Sequence, residues 1–558
     1  MMTRPFSILL ALGCAMTPGA LDAQPVSIQV DTQTSLGPLR PIWSFFGYDE
    51  ANYTYMKDGR KLLSELADLS PVPVYVRTHF LLATGDGIPG LKWSSTNAYT
   101  EDASGNPRYD WTILDRIFDT YLARRMKPLV EIGFMPEALS SQPEPYRTSR
   151  PPQNLWTGVG AAYPPKDYGK WAELIYQWVK HSVERYGRQQ VETWWWEVWN
   201  EPDGGYWKGT PEEYQKLYDY TADALKRALP TARIGGPHVT GPASPKAAQF
   251  LTAFLEHVLH GKNYATGKTG SPLDYVGFHA KGNPQFIDGS VVMGIRNQLQ
   301  SLDKGFEIVA SFPELKGRPV IIGESDPEGC AACSARFNPQ NGYRNGIMYA
   351  SYMAAVMPRH LDLAAKHQVN LTGAVTWAFE FENQPYFDGF RDLATNGIDK
   401  PVLNVFRMLG KMTGDRVAVR NSAAIPLDRI VADGVRNQPD VYAFASRDTR
   451  SAAVLVSNYQ DSEKPGPAAR IELIIAGLPS GRLTLNHYRV DNQFSNSYEH
   501  WKKMSSPQTP TPAQYSELER SGQLQTISAP SSITARDGRA KVSFSLPLHG
   551  VSLVRLAW

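Results

Sequence analysis

The residues most able to do chemistry lie in the run 194–203, which reads Trp-Trp-Trp-Glu-Val-Trp-Asn-Glu-Pro-Asp. Glu201 follows an apolar stretch and stands beside Asn200, among tryptophan rings that suit the face of a sugar. Pro202 lacks an N–H and cannot continue a strand ladder, so the pattern predicts that a strand ends here. In α/β barrels the catalytic groups lie at such carboxyl ends of strands. A buried aromatic strand with an incidental surface glutamate is the alternative interpretation.

Glu324 is a second carboxylate at the end of a strand-like run, Pro-Val-Ile-Ile-Gly-Glu at 319–324. Retaining cleavage of a glycosidic bond needs two carboxyl groups across that bond, one as nucleophile and one as proton donor. Two glutamates at the ends of barrel strands can converge although they are far apart in the sequence. A structural glutamate is the alternative, and the following Ser-Asp-Pro also ends the strand.

The elements that must position these acids are short β-rich runs alternating with longer helical patterns between residues 42 and 412. An eightfold alternation of this length predicts an α/β fold, the TIM (β/α)8 barrel. A doubly wound open sheet is the alternative, but no glycine-rich phosphate loop follows any strand, which disfavours nucleotide binding. The predicted strands are 41–47, 74–79, 128–134, 193–200, 233–237, 275–279, 320–324 and 374–379, and the predicted helices include 111–125, 168–186, 211–228 and 244–260.

The pattern changes at about residue 414 to short strands separated by Gly, Pro and Ser turns, which is typical of a β-sandwich. Residues 495–526, with several Ser and Pro, are predicted as an irregular loop. The predicted strands are 441–445, 452–457, 470–476, 483–489, 540–546 and 551–557, with 26–32 as a possible addition. The predicted organisation is a signal peptide at 1–23, an N-terminal strand at 24–40 that joins the β-domain, a catalytic barrel at 41–413 and an accessory β-sandwich at 414–558.

The composition excludes some function classes. At 558 residues the chain is too long for one ordinary domain. Lys+Arg 57 against Asp+Glu 55 gives a net charge of +2, so no overall field recruits nucleic acid or an anionic membrane. Beyond the N-terminus no segment offers about 18 uninterrupted apolar residues, so we expect no membrane span.

Residues 1–23 predict export of the protein. Arg4 supplies positive charge, residues 6–12 a short apolar core, and residues 21–23 a cleavage site before Gln24. A buried first helix and a lipoprotein signal are the alternatives. The expected location is the periplasm or the medium.

Only Cys330 and Cys333 remain after that cleavage. A Cys-x-x-Cys pair could be a redox site, half a zinc site or a local disulfide. No second cysteine pair completes four zinc ligands, and an exported protein meets oxidising conditions, so a disulfide is the preferred interpretation. We predict neither a metal site nor a cofactor.

Several pieces of the sequence resemble glycoside hydrolase family 39, which contains β-xylosidases and α-L-iduronidases. The run 194–203 matches the family signature Trp-x-Phe-Glu-x-Trp-Asn-Glu-Pro-Asp/Asn, except that Trp196 replaces Phe. The resemblance covers the whole predicted barrel, and residues 488–501 resemble the family's accessory β-domain. Other matching pieces are 76–79, 127–131, 133–136, 164–168 and 235–237.

By position, the resemblance implies Glu201 as general acid/base and Glu324 as nucleophile. Asn200 would hydrogen-bond the sugar 2-OH, an interaction that strengthens in the transition state. Arg77 would keep the nucleophile ionised through its positive charge, with an ordinary ion-pair residue as the alternative.

The resemblance also implies three further contacts with the sugar. His79 and His279, at predicted strand ends, would bind hydroxyl groups, although histidines at such places are often only packed. Trp377, near the end of the eighth predicted strand, would stack on the sugar in the reacting subsite, with a plain core aromatic as the alternative.

Lys281 makes the identity of the sugar ambiguous. The sequence His-Ala-Lys-Gly at 279–282 departs from the His-x-Tyr of the family's xylosidases and resembles the iduronidase branch, where the lysine binds a substrate carboxylate. Arg391 could supply a second cation there. A buried cation without an anionic partner is costly, so Lys281 requires a substrate anion, a nearby Asp326 or Glu328, or solvent.

Two other segments, 133–136 and 164–170, resemble the xylosidases instead. The sequence therefore predicts a retaining exo-glycosidase with an oligosaccharide substrate, and xylo-oligosaccharides are the preferred class. Cleavage of a uronic or decorated sugar, and a non-catalytic carbohydrate-binding relative, are the alternatives.

Overall fold

The structure is a computed structural model that describes residues 24–152 and 154–558. The predicted signal peptide, residues 1–23, lies outside the described residues. Two large sheets organise the described chain, one parallel and barrel-like, the other mostly antiparallel. None of the described helices is both long and apolar enough to cross a membrane.

The parallel sheet forms the predicted TIM barrel, which is confirmed. The eighth strand position is split in two: Asn370–Ala374 pairs with the seventh strand, and Thr376–Trp377 pairs with the first, which closes the ring. The first to seventh strands are Phe45–Tyr48, Tyr75–Thr78, Lys127–Ile132, Trp195–Val198, Arg233–Val239, Tyr275–Lys281 and Pro319–Asp326. The helices that follow the eight strands in turn are Lys57–Leu69, Thr112–Leu122, Tyr168–Tyr186, Pro211–Ala228, Pro245–His260, Ile295–Ala310, Ile347–His367 and Pro401–Gly410.

Local sequence explains these boundaries. Barrel strands are covered on both faces, so they read as nearly continuous apolar runs, and Trp195–Val198 is buried throughout. The helix Tyr168–Tyr186 begins where the Asp167 carboxylate accepts from the backbone N–H groups of the first turn. The helix Pro211–Ala228 begins at a reciprocal capping box between Thr210 and Glu213. The observed bounds of both helices agree with the predicted ones.

The second sheet is the predicted β-rich domain. The N-terminal strand Val26–Pro38 lies within it, antiparallel to Asp415–Asn421 and parallel to Ala469–Ala476, so the chain enters this sheet before it builds the barrel. The sheet encloses its own apolar core, which includes Leu473 and Val554. The other strands are Asp440–Arg447, Ser451–Tyr459, Gly481–Val490, Gln525–Thr526, Ser531–Ala535, Arg539–Leu546 and Val551–Ala557.

The segment 495–526 differs from the sequence prediction. It is not an irregular loop, because it contains the helices Ser497–Lys503 and Pro512–Gly522. Thr511 and Gln514 form a capping box that starts the second helix, with proline at its first position. Thr511 and Pro512 therefore mark a helix start here rather than a loop.

Candidate active site

Glu201 and Glu324 meet at the carboxyl end of the barrel. Glu201 follows the fourth strand with a left-handed φ of 44°, and its N–H donates to the His238 carbonyl at 3.1 Å. Glu324 lies inside the seventh strand. One carboxylate oxygen of each acid and one ring nitrogen of His279 all lie within 4.8 Å of one another. The structure thus brings together the two predicted catalytic carboxylates.

Positive groups surround Glu324. Arg77 Nη1 lies 3.0 Å from Oε1, and Lys281 Nζ lies 2.6 Å from Oε2. Burial alone would raise the pKa of Glu324, but Lys281, His279, His79 and Arg77 outweigh it and hold the pKa well below its usual range. Glu324 is therefore ionised at neutral pH.

Glu201 has a different environment. Its side chain is 19% exposed, against 6% for Glu324, and its Oε1 lies 2.9 Å from His279 Nδ1. The described contacts of its carboxylate include no lysine or arginine. One acid is thus buried among cations, and the other reaches the surface of the site beside a single histidine.

Arg77 is held by acids that sequence reasoning did not identify. Its Nε donates to both carboxylate oxygens of Glu197, at 3.0 and 2.9 Å, and its Nη2 lies 3.2 Å from Glu131. Burial raises the pKa of Glu131 to about 8 although His79 and Arg77 oppose the shift. A carboxylate inside an apolar strand needs a buried cation. Glu131 and Glu197 each lie in such an apolar strand, so the sequence contained a signal that could have identified them.

Asn200 and His79 connect this network to the catalytic acids. Arg77 Nη2 donates to Asn200 Oδ1 at 2.8 Å, while Asn200 Nδ2 finds no hydrogen-bond partner among the described residues. His79 Nε2 lies 3.4 Å from Glu324 Oε1 and 3.0 Å from Glu131. Burial would lower the pKa of His79, but Glu131 and Asp49 outweigh it and raise the pKa to about 9.

A second group, Asp49, Lys92 and Tyr206, was also missed by sequence reasoning and lies in the segments that follow the first, second and fourth strands. Asp49 accepts from His79 Nδ1 at 2.8 Å and from Lys92 Nζ at 2.7 Å. Burial would raise the pKa of Asp49, but Lys92 and His79 outweigh it and lower the pKa. The Tyr206 ring, from the loop after the fourth strand, stacks 5.3 Å from Phe134 and lies near both Lys92 and His79.

A sequence model of the glycosyl hydrolases family 39 matches residues 26–540. The chain belongs to glycosyl hydrolase family 39. It is 27% identical over 446 residues to a β-xylosidase of Geobacillus stearothermophilus, which covers 78% of this chain and 77% of that protein. It is 25% identical over 604 residues to the α-L-iduronidase of Homo sapiens, which covers 99% of this chain and 82% of that protein.

Solved structures share the fold of this family 39 protein. A monomeric β-xylosidase from Caulobacter crescentus CB15 superimposes with a TM-score of 0.74 at 23% identity, covering 95% of this chain and 99% of that one. A bacterial orthologue of human α-L-iduronidase superimposes with a TM-score of 0.73 at 21% identity, covering 95% and 84%. The family and its curated relatives make the protein a glycoside hydrolase with an oligosaccharide substrate.

Lys281 of this glycoside hydrolase is bound by carboxylates of the chain itself. Besides Glu324, its Nζ contacts Asp326 Oδ1 at 2.5 Å. Arg391 pairs with the other oxygen of Asp326 at 2.6 Å and is fully buried, which differs from the expectation that it offers a cation to a substrate. Glu328, the other partner considered for the lysine, pairs with Arg344 instead.

Trp377 also differs from expectation. The indole is fully buried, 4.4 Å from the His79 ring and 4.8 Å from the Arg77 guanidinium, and its Nε1 donates to Asp49 at 3.2 Å. The split eighth strand places the ring beneath the charged network, so in this structure it supports that network and presents no exposed face to a sugar.

Cys330 and Cys333 are joined by a disulfide in the loop after the seventh strand. The carbonyl of Ala331, which lies between the two cysteines, accepts a hydrogen bond from the Arg391 backbone N–H at 2.9 Å. The crosslinked turn is therefore attached to the loop that carries the partner of Asp326.

Among the described residues, Glu201, His279 and Glu324 are placed so that they could share a metal ion. Arg77 and Lys281 already contact Glu324, so a divalent cation there would lie beside two positive charges. The charges of the site favour acid–base and nucleophilic chemistry by the two glutamates.

Proposed function

We propose that this glycoside hydrolase is a retaining exo-β-xylosidase, with Glu324 as nucleophile and Glu201 as general acid/base. The separation of the two carboxylates supports the retaining mechanism most directly, because one oxygen of Glu201 lies within 4.8 Å of one oxygen of Glu324. Retaining enzymes hold their carboxyl groups roughly 5–5.5 Å apart, and inverting enzymes separate them by roughly 6.5–9.5 Å to admit a water.

The electrostatic difference between the acids fits two chemical steps. In the first, ionised Glu324 attacks the anomeric carbon while Glu201 gives its proton to the leaving oxygen, so that a glycosyl ester forms and an alcohol departs. In the second, water attacks the anomeric carbon of the glycosyl ester, Glu201 takes a proton from the water, and Glu324 leaves as a carboxylate. One water is consumed, and Glu201 regains the proton that it gave.

The charge balance around Lys281 favours a neutral sugar. Its ammonium contacts two carboxylates, Glu324 and Asp326, and Arg391 is paired with the second of these. Two cations thus face two anions, which leaves no buried positive charge that requires a substrate carboxylate. A β-D-xyloside, which has no carboxylate at C5, fits this arrangement.

A uronic sugar is the second candidate. Its support is the Lys281 side chain, which remains 14% exposed beside the nucleophile, and the curated α-L-iduronidases to which the chain is similar over nearly its whole length. A substrate carboxylate could bind there only by sharing the ammonium with Asp326.

A panel of aryl glycosides tests both candidates. We expect the aryl β-D-xyloside to be cleaved with the highest kcat/KM, above the arabinoside, glucoside and α-L-iduronide, and proton NMR to detect β-xylose as the first product. Lys281→Tyr should leave the preference for xyloside over iduronide intact, with exposed Lys208→Tyr as control. Preferred cleavage of the iduronide that is lost in Lys281→Tyr would establish the second candidate, and α-xylose as first product would contradict retention.

We also propose that the enzyme is exported. The disulfide between Cys330 and Cys333 suits an oxidising compartment. Fractionation of the producing cells should find the activity in the periplasm or the medium, in a protein that begins near Gln24. Recovery of uncleaved protein from the cytoplasm alone would contradict export.

A further inference from the structure

We propose that Lys92, held by Asp49, binds the hydroxyl groups at C3 and C4 of the terminal sugar and so limits the enzyme to chain ends. This inference rests on the proposed glycosidase function and adds a specificity-determining residue to it. Lys92 lies in the loop after the second barrel strand, and Asp49 directly follows the first strand, Phe45–Tyr48. Neither residue belongs to the catalytic pair.

Lys92 is held firmly in place at the mouth of the barrel. Its backbone has a left-handed φ of 63°, and its N–H donates to the Glu50 carboxylate at 2.7 Å. Its Nζ donates to Asp49 Oδ2 at 2.7 Å, and the side chain is 18% exposed. Backbone and head group are thus both anchored, while part of the side chain remains open.

Tyr206 shows that Lys92 faces the same space as the catalytic acids. Its ring lies 6.0 Å from Lys92 Nζ. Burial raises the pKa of its phenol, Lys92 lowers it, and Asp49, Glu201 and Glu324 raise it further. The Tyr206 phenol therefore lies near enough to both the catalytic pair and the Lys92–Asp49 pair for their charges to act on its pKa.

The hydrogen-bonding capacity of the pair suits neutral hydroxyl groups. An ammonium has three N–H donors, and Asp49 is the hydrogen-bond acceptor of Lys92 within the described part of the chain. Asp49 already accepts hydrogen bonds from His79, Lys92 and Trp377. The N–H groups that this pair can still offer to a ligand are therefore those of the Lys92 ammonium. The carboxylate cancels the lysine's charge, which favours a sugar hydroxyl over a carboxylate.

The arrangement of the strands determines which hydroxyl groups these are. Glu201 and Glu324 flank the anomeric carbon, and Asn200 beside Glu201 is the proposed partner of the C2 hydroxyl. The first strand, which Asp49 follows, lies three strand positions around the ring from the fourth, which Asn200 and Glu201 follow on the side of the leaving group. The hydroxyls farthest from the scissile bond, at C3 and C4, therefore face Lys92.

His79 connects the Lys92–Asp49 pair to the proposed nucleophile. It bonds Asp49 through Nδ1 at 2.8 Å and lies 3.4 Å from Glu324 through Nε2. A sugar anchored by Lys92 is thus positioned relative to the nucleophile. A further sugar attached at the C4 oxygen would meet the Lys92–Asp49 pair, so we expect the enzyme to prefer terminal residues.

The test pairs enzyme variants with substrates that lack one hydroxyl group. The kcat/KM of wild type and Lys92→Met is measured on an aryl β-xyloside and on its 3-deoxy and 4-deoxy analogues, with Lys208→Met as an exposed control. We expect each change alone, Lys92→Met or loss of the bound hydroxyl, to lower kcat/KM about 10- to 100-fold. The two changes together should lower kcat/KM little more than either change alone.

Different results would contradict the role of Lys92 and the proposed glycosidase function. Strictly multiplicative losses for both deoxy substrates would show that Lys92 acts only on the structure and would overturn the inference while leaving the glycosidase assignment intact. Failure of wild type to cleave any aryl glycoside would overturn the proposed function and this inference with it. Lys92→Arg, which keeps the charge, should retain part of the discrimination between parent and deoxy substrates.

Discussion

The surroundings of Glu324 and Glu201 differ sharply although both acids lie at the carboxyl end of the barrel. Glu324 is buried between Arg77 and Lys281, which are themselves held by further acids. Glu201 is partly exposed, and His279 is its close polar partner. A carboxylate fixed among cations stays ionised, whereas one at the edge of the site is accessible to substrate and water.

In the proposed mechanism, the different roles of the two acids come from the residues that surround them, because both are glutamates. Arg77 is bound by Glu197 and Glu131, so its charge is available to Glu324 without being free to move. The second sheet contains no comparable cluster of catalytic groups among the described contacts, and its enclosed core is built of apolar side chains such as Val454 and Leu556.

Removal of the proposed nucleophile should have the largest effect. We expect Glu324→Ala to lower kcat on every aryl xyloside by at least ~10⁴-fold, because no covalent intermediate can form. Small nucleophiles such as azide should restore cleavage with the α-configured product. Activity within tenfold of wild type would contradict the role of Glu324.

Removal of the proposed acid/base should have a smaller effect that depends on the leaving group. We expect Glu201→Ala to slow poor leaving groups by about 10²- to 10⁴-fold, the usual contribution of general acid catalysis. Good leaving groups need no proton, so the first step should change little and glycosyl-enzyme should accumulate as a burst. Equal losses for good and poor leaving groups would show that Glu201 does not act as the proton donor.

Lys281→Met tests the electrostatic difference itself and should have the smallest effect. The lysine favours ionised Glu324, so its loss should raise the pKa of that carboxyl. Activity that requires the carboxylate is lost as pH falls through this pKa, so the acid limb of kcat/KM should move to higher pH. Lys208→Met is the control, and an unmoved limb in Lys281→Met would contradict the account.

Much of this architecture follows from the sequence. Proline after Glu201, and apolar runs ending in carboxylates, located the two acids because strand ends of a parallel barrel converge by geometry. Helix bounds followed from caps such as Asp167 and Thr210, whose effects are local.

The rest depends on contacts between distant strands. Trp377 was expected to face a sugar, but the split eighth strand buries it beneath Arg77 and His79. The pairing of Lys281 with Asp326 and Glu324 involves two neighbouring strands, whose register no local pattern fixes. Lys92 was overlooked because an isolated loop lysine carries no signal until its partner is known.

Covalent trapping tests the central claim most directly. An aryl 2-deoxy-2-fluoro-β-xyloside with an activated leaving group forms the glycosyl ester but slows its hydrolysis, so wild type should lose activity as one adduct accumulates. Peptide mapping by mass spectrometry should place that adduct on Glu324, and Glu324→Ala should remain unlabelled. An adduct on Glu201 or another residue, or turnover without any adduct, would contradict Glu324 as the nucleophile of a retaining enzyme.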